Sequence, residues 1–493
     1  KAGYAAQVVN LGVERAVDPR FDLEAFIAAE RPRLVGVSLH WHYQSWDALE
    51  AVRAVRRASP GTKILLGGFT ASFFHREILE TVPEVDMVVR GDGEAAAGAL
   101  AAEMRGGAWD LGRVPNLTWR APDGTVRENG VSYVGTGKDL DRLEFTRFPL
   151  IRHWEAYRDY VRVPWFLSTR LSPEWQKRHF LQPYALFFLP TLRGCPVACS
   201  YCGGGSDAQR RVSGRGGVSF RSPARNVDAM EEALSHGYEA VYIECPVTRE
   251  DYFHDLFAEV RRRGVRIRCV LDVWGLPSER LVADFHETFI QDPGTDLLMS
   301  PECGSERVRT KNRGYNDTNQ AWLDRIAYAD RLGVGMSVFF VLGLPEETVA
   351  DLYETQRFAR LLQSRFRNVN RVISDSIKME PASPMHLRPE EFGVAHEKLR
   401  FADFVVPPGG GASYFNERQG YTPIRLKEEL EAHLGMPGAT FDALIQEFKC
   451  RELCRLQNYG PFKVLPNAAA RAACTALDAA WKADARVRQW LSG

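Results

Sequence analysis

Three cysteines share one short stretch, Leu192-Arg193-Gly194-Cys195-Pro196-Val197-Ala198-Cys199-Ser200-Tyr201-Cys202-Gly203-Gly204-Gly205, spaced C-x3-C-x2-C. Three thiolates can hold three irons of a cubane cluster and leave the fourth iron open. A fully ligated electron-transfer cluster needs a fourth cysteine nearby. Gly203 to Gly205 supply none, and the next, Cys245, lies far downstream. An open iron binds a small molecule, so the spacing points to chemistry rather than electron storage. The alternative, three cysteines packed as core, fits poorly with the glycine run that follows.

The elements around this stretch must hold it. Residues 187–189 form an apolar run that leads straight into the loop, and strand candidates recur at 240–243, 267–271, 297–300, 336–341 and 372–374, with helical stretches between. Six β/α units predict a partial parallel barrel whose working face is the carboxyl end of its strands. Upstream, apolar runs at 34–39, 63–66 and 86–90 alternate with helical patterns, including one capped by Ser45 with Leu49, Val52 and Val55 on one face. That alternation predicts a parallel, Rossmann-like sheet. Its strand ends carry Ser38-Leu39-His40, Gly67-Gly68-Phe69-Thr70 and Gly91-Asp92-Gly93-Glu94. Ligands sit beyond such ends, and glycines let backbone approach a large flat ligand closely. No G-x-G-x-x-G follows a strand, which argues against a dinucleotide. The expected organisation is α/β: a Rossmann-like domain over 1–140, its first strand not evident, a linker over 141–185, a partial (β/α)6 barrel over 186–400 and a mainly helical cap over 401–493.

The strand-end pieces, taken in order, resemble the cobalamin-binding domain that precedes many radical SAM domains. The cysteine motif and its β/α units resemble the radical SAM superfamily. Supporting pieces are Pro301-Glu302-Cys303-Gly304-Ser305-Glu306-Arg307, Asn312-Arg313-Gly314-Tyr315 and Val341-Leu342-Gly343-Leu344-Pro345-Glu346-Glu347-Thr348. The resemblance implies a 4Fe-4S cluster on Cys195, Cys199 and Cys202, with S-adenosyl-L-methionine (SAM) chelating the open iron. It implies cobalamin lined by Ser38, Leu39, Gly67, Gly68, Thr70, Gly91 and Glu94. It places Glu244 near the SAM amino group, Glu302 near the ribose or amino group, Arg313 near the carboxylate, and backbone at Tyr201 and Leu342-Gly343 by the adenine. Glu244 has a second option, reaching the open iron itself. The D-x-H-x-x-G motif of other cobalamin proteins is absent, so its axial histidine does not carry over. His40 or His42 is left as a lower cobalt ligand or as a loop histidine bonded to backbone. Asp272 and Trp274 are candidates to touch SAM or substrate, and Asp375 and Glu380 are substrate-side candidates.

The implied activity is a cobalamin-dependent radical SAM methyltransferase, moving a methyl group from SAM via methylcobalamin to a carbon of a small metabolite in natural-product biosynthesis. The alternatives are rearrangement or cyclisation without net methylation, and a non-catalytic cofactor-binding scaffold. The expected partners are a small-molecule substrate and an external electron donor such as ferredoxin or flavodoxin, acting on a monomer. The chain of 493 residues balances 63 Lys and Arg against 63 Asp and Glu, which argues against nucleic acid. No apolar run reaches the ~18 residues needed to span a bilayer. No signal peptide is seen, and clustered thiols without a disulfide pattern suggest a reducing cytoplasm. The arginines at 210, 211, 215, 221 and 225 read as a solvated loop or an anion site. Residues 440–456 and 468–490 read as helices of the cap, after a Pro-Gly hinge at 407–411. Cys450 and Cys454 read as buried thiols or half a metal site.

Overall fold

A computed structural model describes residues 4–106, 109–160, 184–292, 294–407 and 420–452. Pro408 and the hinge glycines at 409–411, Cys454, the 468–490 stretch and Trp165 and Trp175 of the linker lie outside them, as does the Cys450 side chain.

The amino-terminal sheet runs β1 (Leu34–Ser38), β2 (Lys63–Gly67), β3 (Met87–Val89), β4 (Leu117–Arg120) and β5 (Val126–Glu128), in that order. The first three strands are parallel, as the alternation predicted. The last two form an antiparallel hairpin that the alternation of strands and helices does not signal. Its turn is signalled by Asp123-Gly124: the Asp123 carboxylate accepts from Thr125 N at 3.0 Å and Gly124 has φ +80°. The helix Ser45–Ala58 buries Ala48, Leu49, Val52 and Val55, the one-face spacing expected of it.

The barrel has all six expected strands: β6 (Leu186–Phe188), β7 (Ala240–Pro246), β8 (Arg268–Trp274), β9 (Asp296–Glu302), β10 (Met336–Leu342) and β11 (Val369–Ser376). They are parallel and adjacent in chain order. Alternation along each strand sorts the two faces. Val241, Ile243 and Cys245 are buried under the helix Glu250–Arg263, which presents Phe253, Leu256, Phe257 and Val260. Each such side chain contributes about 1.5–3 kcal/mol when fully buried. On the opposite face Ala240, Val270 and Leu298 meet Tyr242 and Phe339 in a smaller interior cluster. At the amino-terminal end of the strands Asp296, Ser337 and Arg371 form a polar triad: Ser337 donates to Asp296 at 2.6 Å, Arg371 donates to Ser337 at 2.8 Å and pairs with Asp296. That end is plugged, which leaves the carboxyl end for chemistry.

A second core spans the chain. It joins Leu39, Val52 and Leu66 of the amino-terminal sheet and helices to Cys303, Leu342 and Leu344 of the barrel. Phe441, Leu444, Ile445 and Phe448 of the helix Phe441–Glu452 complete it, so the cap is wedged between both parts. The linker packs on both neighbours too: Phe148 sits in the barrel core and Arg152 pairs with Glu14 at 2.9 Å.

A polar joint binds the two sheets. Arg193, two residues before Cys195, pairs with Asp92 at 2.9 Å and with Glu94. Arg215 is buried, pairs with Asp92 and donates to Gly135 O at 3.0 Å. Arg221 is buried as well, over the Phe145 ring. These two arginines are therefore interior ties rather than a solvated loop. Asp92→Ala leaves the Arg215 guanidinium buried with no carboxylate of its own. The expected loss is about 3 kcal/mol, read from equilibrium urea denaturation.

Candidate active site

The cysteine loop is shaped by short-range geometry. Leu192–Arg193 pairs antiparallel with Ser219–Phe220 and brackets the loop at its base. Gly194 has φ +99°, and a Cβ there would stand 2.5 Å from Gly217 O, so only glycine makes this turn. Val197 N donates to the Cys195 sulfur at 3.4 Å and Gly204 N to the Cys202 sulfur at 3.3 Å. Gly203 N donates to Glu380 Oε2 at 2.6 Å, and a Cβ on Gly203 would meet Pro381 O at 2.3 Å. Glu380, a substrate-side candidate from sequence, thus braces the loop. On the other flank Ser200 N donates to Asn312 O at 2.8 Å and Ser200 O accepts from Met385 N at 2.8 Å.

Burial pushes all three thiol pKa values up, Cys202 most strongly. The Arg313 guanidinium works the other way on Cys195 and Cys199. Buried thiols of this kind become donors only when cations replace their protons. Among the described residues no three His, Cys, Asp or Glu side chains converge tightly enough for one metal ion. Three cysteine sulfurs on one loop, with amide N–H groups aimed at two of them, are a donor set that fits a cubane.

The barrel's carboxyl end faces this loop. Glu244 and Asp272 are direct register partners on β7 and β8. Asp272 accepts from the Tyr242 hydroxyl at 2.6 Å, and Tyr242 lies 5.0 Å from the Phe188 ring. Glu244 is walled by protein yet retains accessible surface, as a side chain lining an open interior does. Desolvation, then the Asp272 charge, raise its pKa to about 7. Glu302, at a register shift in β9 and with φ +67°, pairs with Arg313. Arg313 also donates to Ser300 O at 3.0 Å. Gly343, with φ +85°, lies under Phe441 and Tyr421, and its carbonyl accepts from the Tyr421 hydroxyl at 2.5 Å. Glu347 folds back onto this turn, accepting from Gly343 N at 2.7 Å and Leu344 N at 3.1 Å. Its pKa is raised by burial to about 8. The quoted motif contained Glu347, but nothing in its spacing signalled this backbone role.

At the amino-terminal sheet, Ser38 pairs with Gly67 and Leu39 N donates to Gly67 O at 2.7 Å. The His40 carbonyl accepts from Thr70 N at 3.1 Å and Thr70 Oγ1 at 3.0 Å. Gly68, with φ +110°, packs so closely that a Cβ would meet His40 Cα at 2.6 Å. Ser38, Leu39, His40, Gly67, Gly68 and Thr70 therefore form one cradle. The His40 ring stands edge-on to Trp41 and Phe69, and burial lowers its pKa. His42 is buried against Phe404 instead. Gly91 borders this cradle, its N–H donating to Ser72 Oγ at 3.0 Å while Ser72 Oγ donates to Gly68 O at 2.7 Å, and Glu94 pairs with Arg193. A cavity opens between the two parts, lined by His40, Phe69 and Thr70 on one side and Gly203, Glu380 and Pro381 on the other. The backbone cradle, room for no Cβ at Gly68 and a neutral imidazole suit a flat, metal-centred group.

Residues 1–101 match the B12 binding domain family and residues 189–359 the radical SAM superfamily. The anaerobic magnesium-protoporphyrin IX monomethyl ester cyclase of Rubrivivax gelatinosus is 23% identical over 330 residues, 64% of this chain and 52% of that protein. The chain thus spans about half the length of that relative. An uncharacterized methyltransferase of Pyrococcus horikoshii is 23% identical over 349 residues, 69% of this chain and 67% of that protein. The hopanoid C-3 methylase of Methylococcus capsulatus is 25% identical over 205 residues, 41% of this chain and 33% of that protein. The solved structure of the radical S-adenosylmethionine methyltransferase TsrM from Kitasatospora setae superposes with a TM-score of 0.58 at 16% identity, covering 89% of this chain and 83% of that one. That likeness carries the fold. Among the described residues no helix is long and apolar enough to cross a membrane.

Glu244 gives a signed pH dependence. Its folded pKa of about 7 exceeds the ordinary 4.5, so the folded state holds a proton that the unfolded state releases. Its contribution to stability is present below about pH 4.5, is lost as pH rises to about 7, and is level above. Glu244→Gln removes that loss. Relative to the parent chain, its thermal midpoint should rise between pH 5 and pH 8, as followed by circular dichroism.

Proposed function

Because the chain joins a B12-binding domain to a radical SAM domain, we propose that it transfers a methyl group from SAM to a carbon of a small metabolite, in natural-product biosynthesis. One observation carries this: the strand-end cradle of the first domain and the cysteine loop of the second open on the same cavity. When bound there, cobalamin supplies a methyl carrier, and the 4Fe-4S cluster with SAM supplies one-electron chemistry able to activate a carbon.

In this reading Cys195, Cys199 and Cys202 would hold three irons of the cluster and leave the fourth for SAM. Ser38, Leu39, Gly67, Gly68 and Thr70 seat the corrin, with the His40 ring beside it. Gly91, tied to Gly68 through Ser72, and Glu94 border the same seat, and Glu94 also ties that domain to the cysteine loop through Arg193. Tyr201 and Gly343 offer backbone to the adenine. Glu244 stands by the SAM amino group, Glu302 by the ribose or amino group and Arg313 by the carboxylate, with Asp272 facing SAM or substrate from the barrel interior. A carboxyl titrating near neutrality can hold or release a proton there. Phe441 and Tyr421 cover the mouth and exclude water. An external electron donor of the ferredoxin or flavodoxin kind reduces the monomer.

A second reading, cyclisation or rearrangement without net methylation, is favoured by the cyclase relative. Both readings use the same residues. Mass spectrometry of products formed from methyl-labelled SAM separates them: label in the product supports methylation, and unlabelled product points to the second. Cys199→Ala should reduce iron and sulfide uptake on anaerobic reconstitution at least tenfold while leaving cobalamin retention intact. Unchanged iron content would remove the cluster assignment.

A further inference from the structure

Arg313 ends the helix Glu306–Arg313, directly against the cysteine loop. The residue before it, Asn312, is bonded twice to Ser200, the residue after Cys199: Ser200 N donates to Asn312 O at 2.8 Å and Ser200 Oγ to Asn312 Oδ1 at 2.5 Å. Arg313 and Cys199 are therefore chain neighbours of the same bonded pair. Asn312 is fixed in turn, donating through Nδ2 to Pro345 O at 2.9 Å. The Arg313 side chain is only 7% exposed. It pairs with Glu302, donates to Ser300 O and lies 5.4 Å from the Tyr315 ring. Its Nε has no hydrogen-bond partner within the protein. A buried guanidinium with an unused donor needs a further acceptor nearby. Sulfur of a cluster, or the carboxylate of a bound ligand, would serve. The Arg313 charge already acts on the sulfurs of Cys195 and Cys199.

We propose that the Glu302–Arg313 pair sets the reduction potential of the iron–sulfur cluster, independently of any contact either residue makes with SAM. This rests on the assignment of the cluster to Cys195, Cys199 and Cys202. An electron added to the cluster is an added negative charge. A buried guanidinium favours it, and the neighbouring carboxylate offsets that gain. The pair is thus a balanced set whose two halves pull the potential in opposite directions.

The test is an EPR-monitored redox titration of anaerobically reconstituted protein without SAM, with iron and sulfide assayed on each sample. Omitting SAM keeps altered SAM binding from mimicking the effect. Glu302→Gln, which leaves the guanidinium uncompensated, should favour reduction at least tenfold, about 59 mV upward for a one-electron couple. Arg313→Met should shift it at least tenfold the other way. The double variant should return to within threefold of the parent, and Arg313→Lys should stay there. Single variants that load iron yet remain within threefold of the parent, or move in the same direction, overturn the proposal. If Arg313→Met fails to hold iron, Glu302→Gln and Arg313→Lys decide: a shift in the first alone supports the proposal, and no shift in the first overturns it. Parent protein that takes up no iron overturns the cluster assignment, a result distinct from unmoved potentials.

Discussion

The structure depends on holding three cysteine sulfurs in place on a loop that ends in three glycines and packs through few side chains, Val197 and Tyr201 among them. Cys195 to Gly205 has little core of its own, so its shape is imposed from outside. Asn312 and Met385 hold Ser200, Glu380 holds Gly203, and the hairpin with Ser219–Phe220 holds the base. Most of these ties are to backbone groups, which leaves the sulfurs as the loop's available donors. The energetic logic is that of any buried polar loop: each peptide group must find a partner. Here the partners come from β/α units far apart in sequence, so the loop is ordered only when the barrel is.

That dependence explains the layout of the cores. The outer face of the barrel is a conventional apolar layer under helices, and a polar triad stops the interior at the amino-terminal end. The second core is less usual, because it draws from the amino-terminal sheet, the barrel and the cap together. Packing side chains of three regions into one continuous core fixes their relative placement more firmly than surface ion pairs would. The Asp92, Glu94, Arg193 and Arg215 joint then adds direction, since charged pairs specify register more than they add stability.

Much of this was legible in the residues. All six barrel strands and the amphipathic Phe441–Glu452 helix followed from apolar runs and period, because burial on one or both faces leaves a plain pattern. The cysteine spacing and strand-end glycines were local signals as well. The antiparallel β4–β5 hairpin was missed, since Thr118 and Arg127 alternate with too few apolar residues to stand out. The short apolar stretch at 5–11 gives only a lone bridge, Val8 with Ile151, before Asn10 caps a helix. Contacts between distant residues left no trace in spacing. Glu380 at Gly203, Arg193 at Glu94 and Glu347 on its own turn are properties of the folded chain, because a carboxylate's partner is set by topology rather than by neighbours in sequence.

One feature reaches beyond the site itself. The sheet of the barrel is open: β6 and β11, its first and last strands, are not paired to one another. Gly203 follows β6 and Glu380 follows β11, and their bond joins the two free edges above the strands. The cysteine loop is thus a clasp on a split cylinder. Closure at the working face is thus made by a side-chain-to-backbone bond above the strands and not by strand pairing, so a single carboxylate bridges the seam.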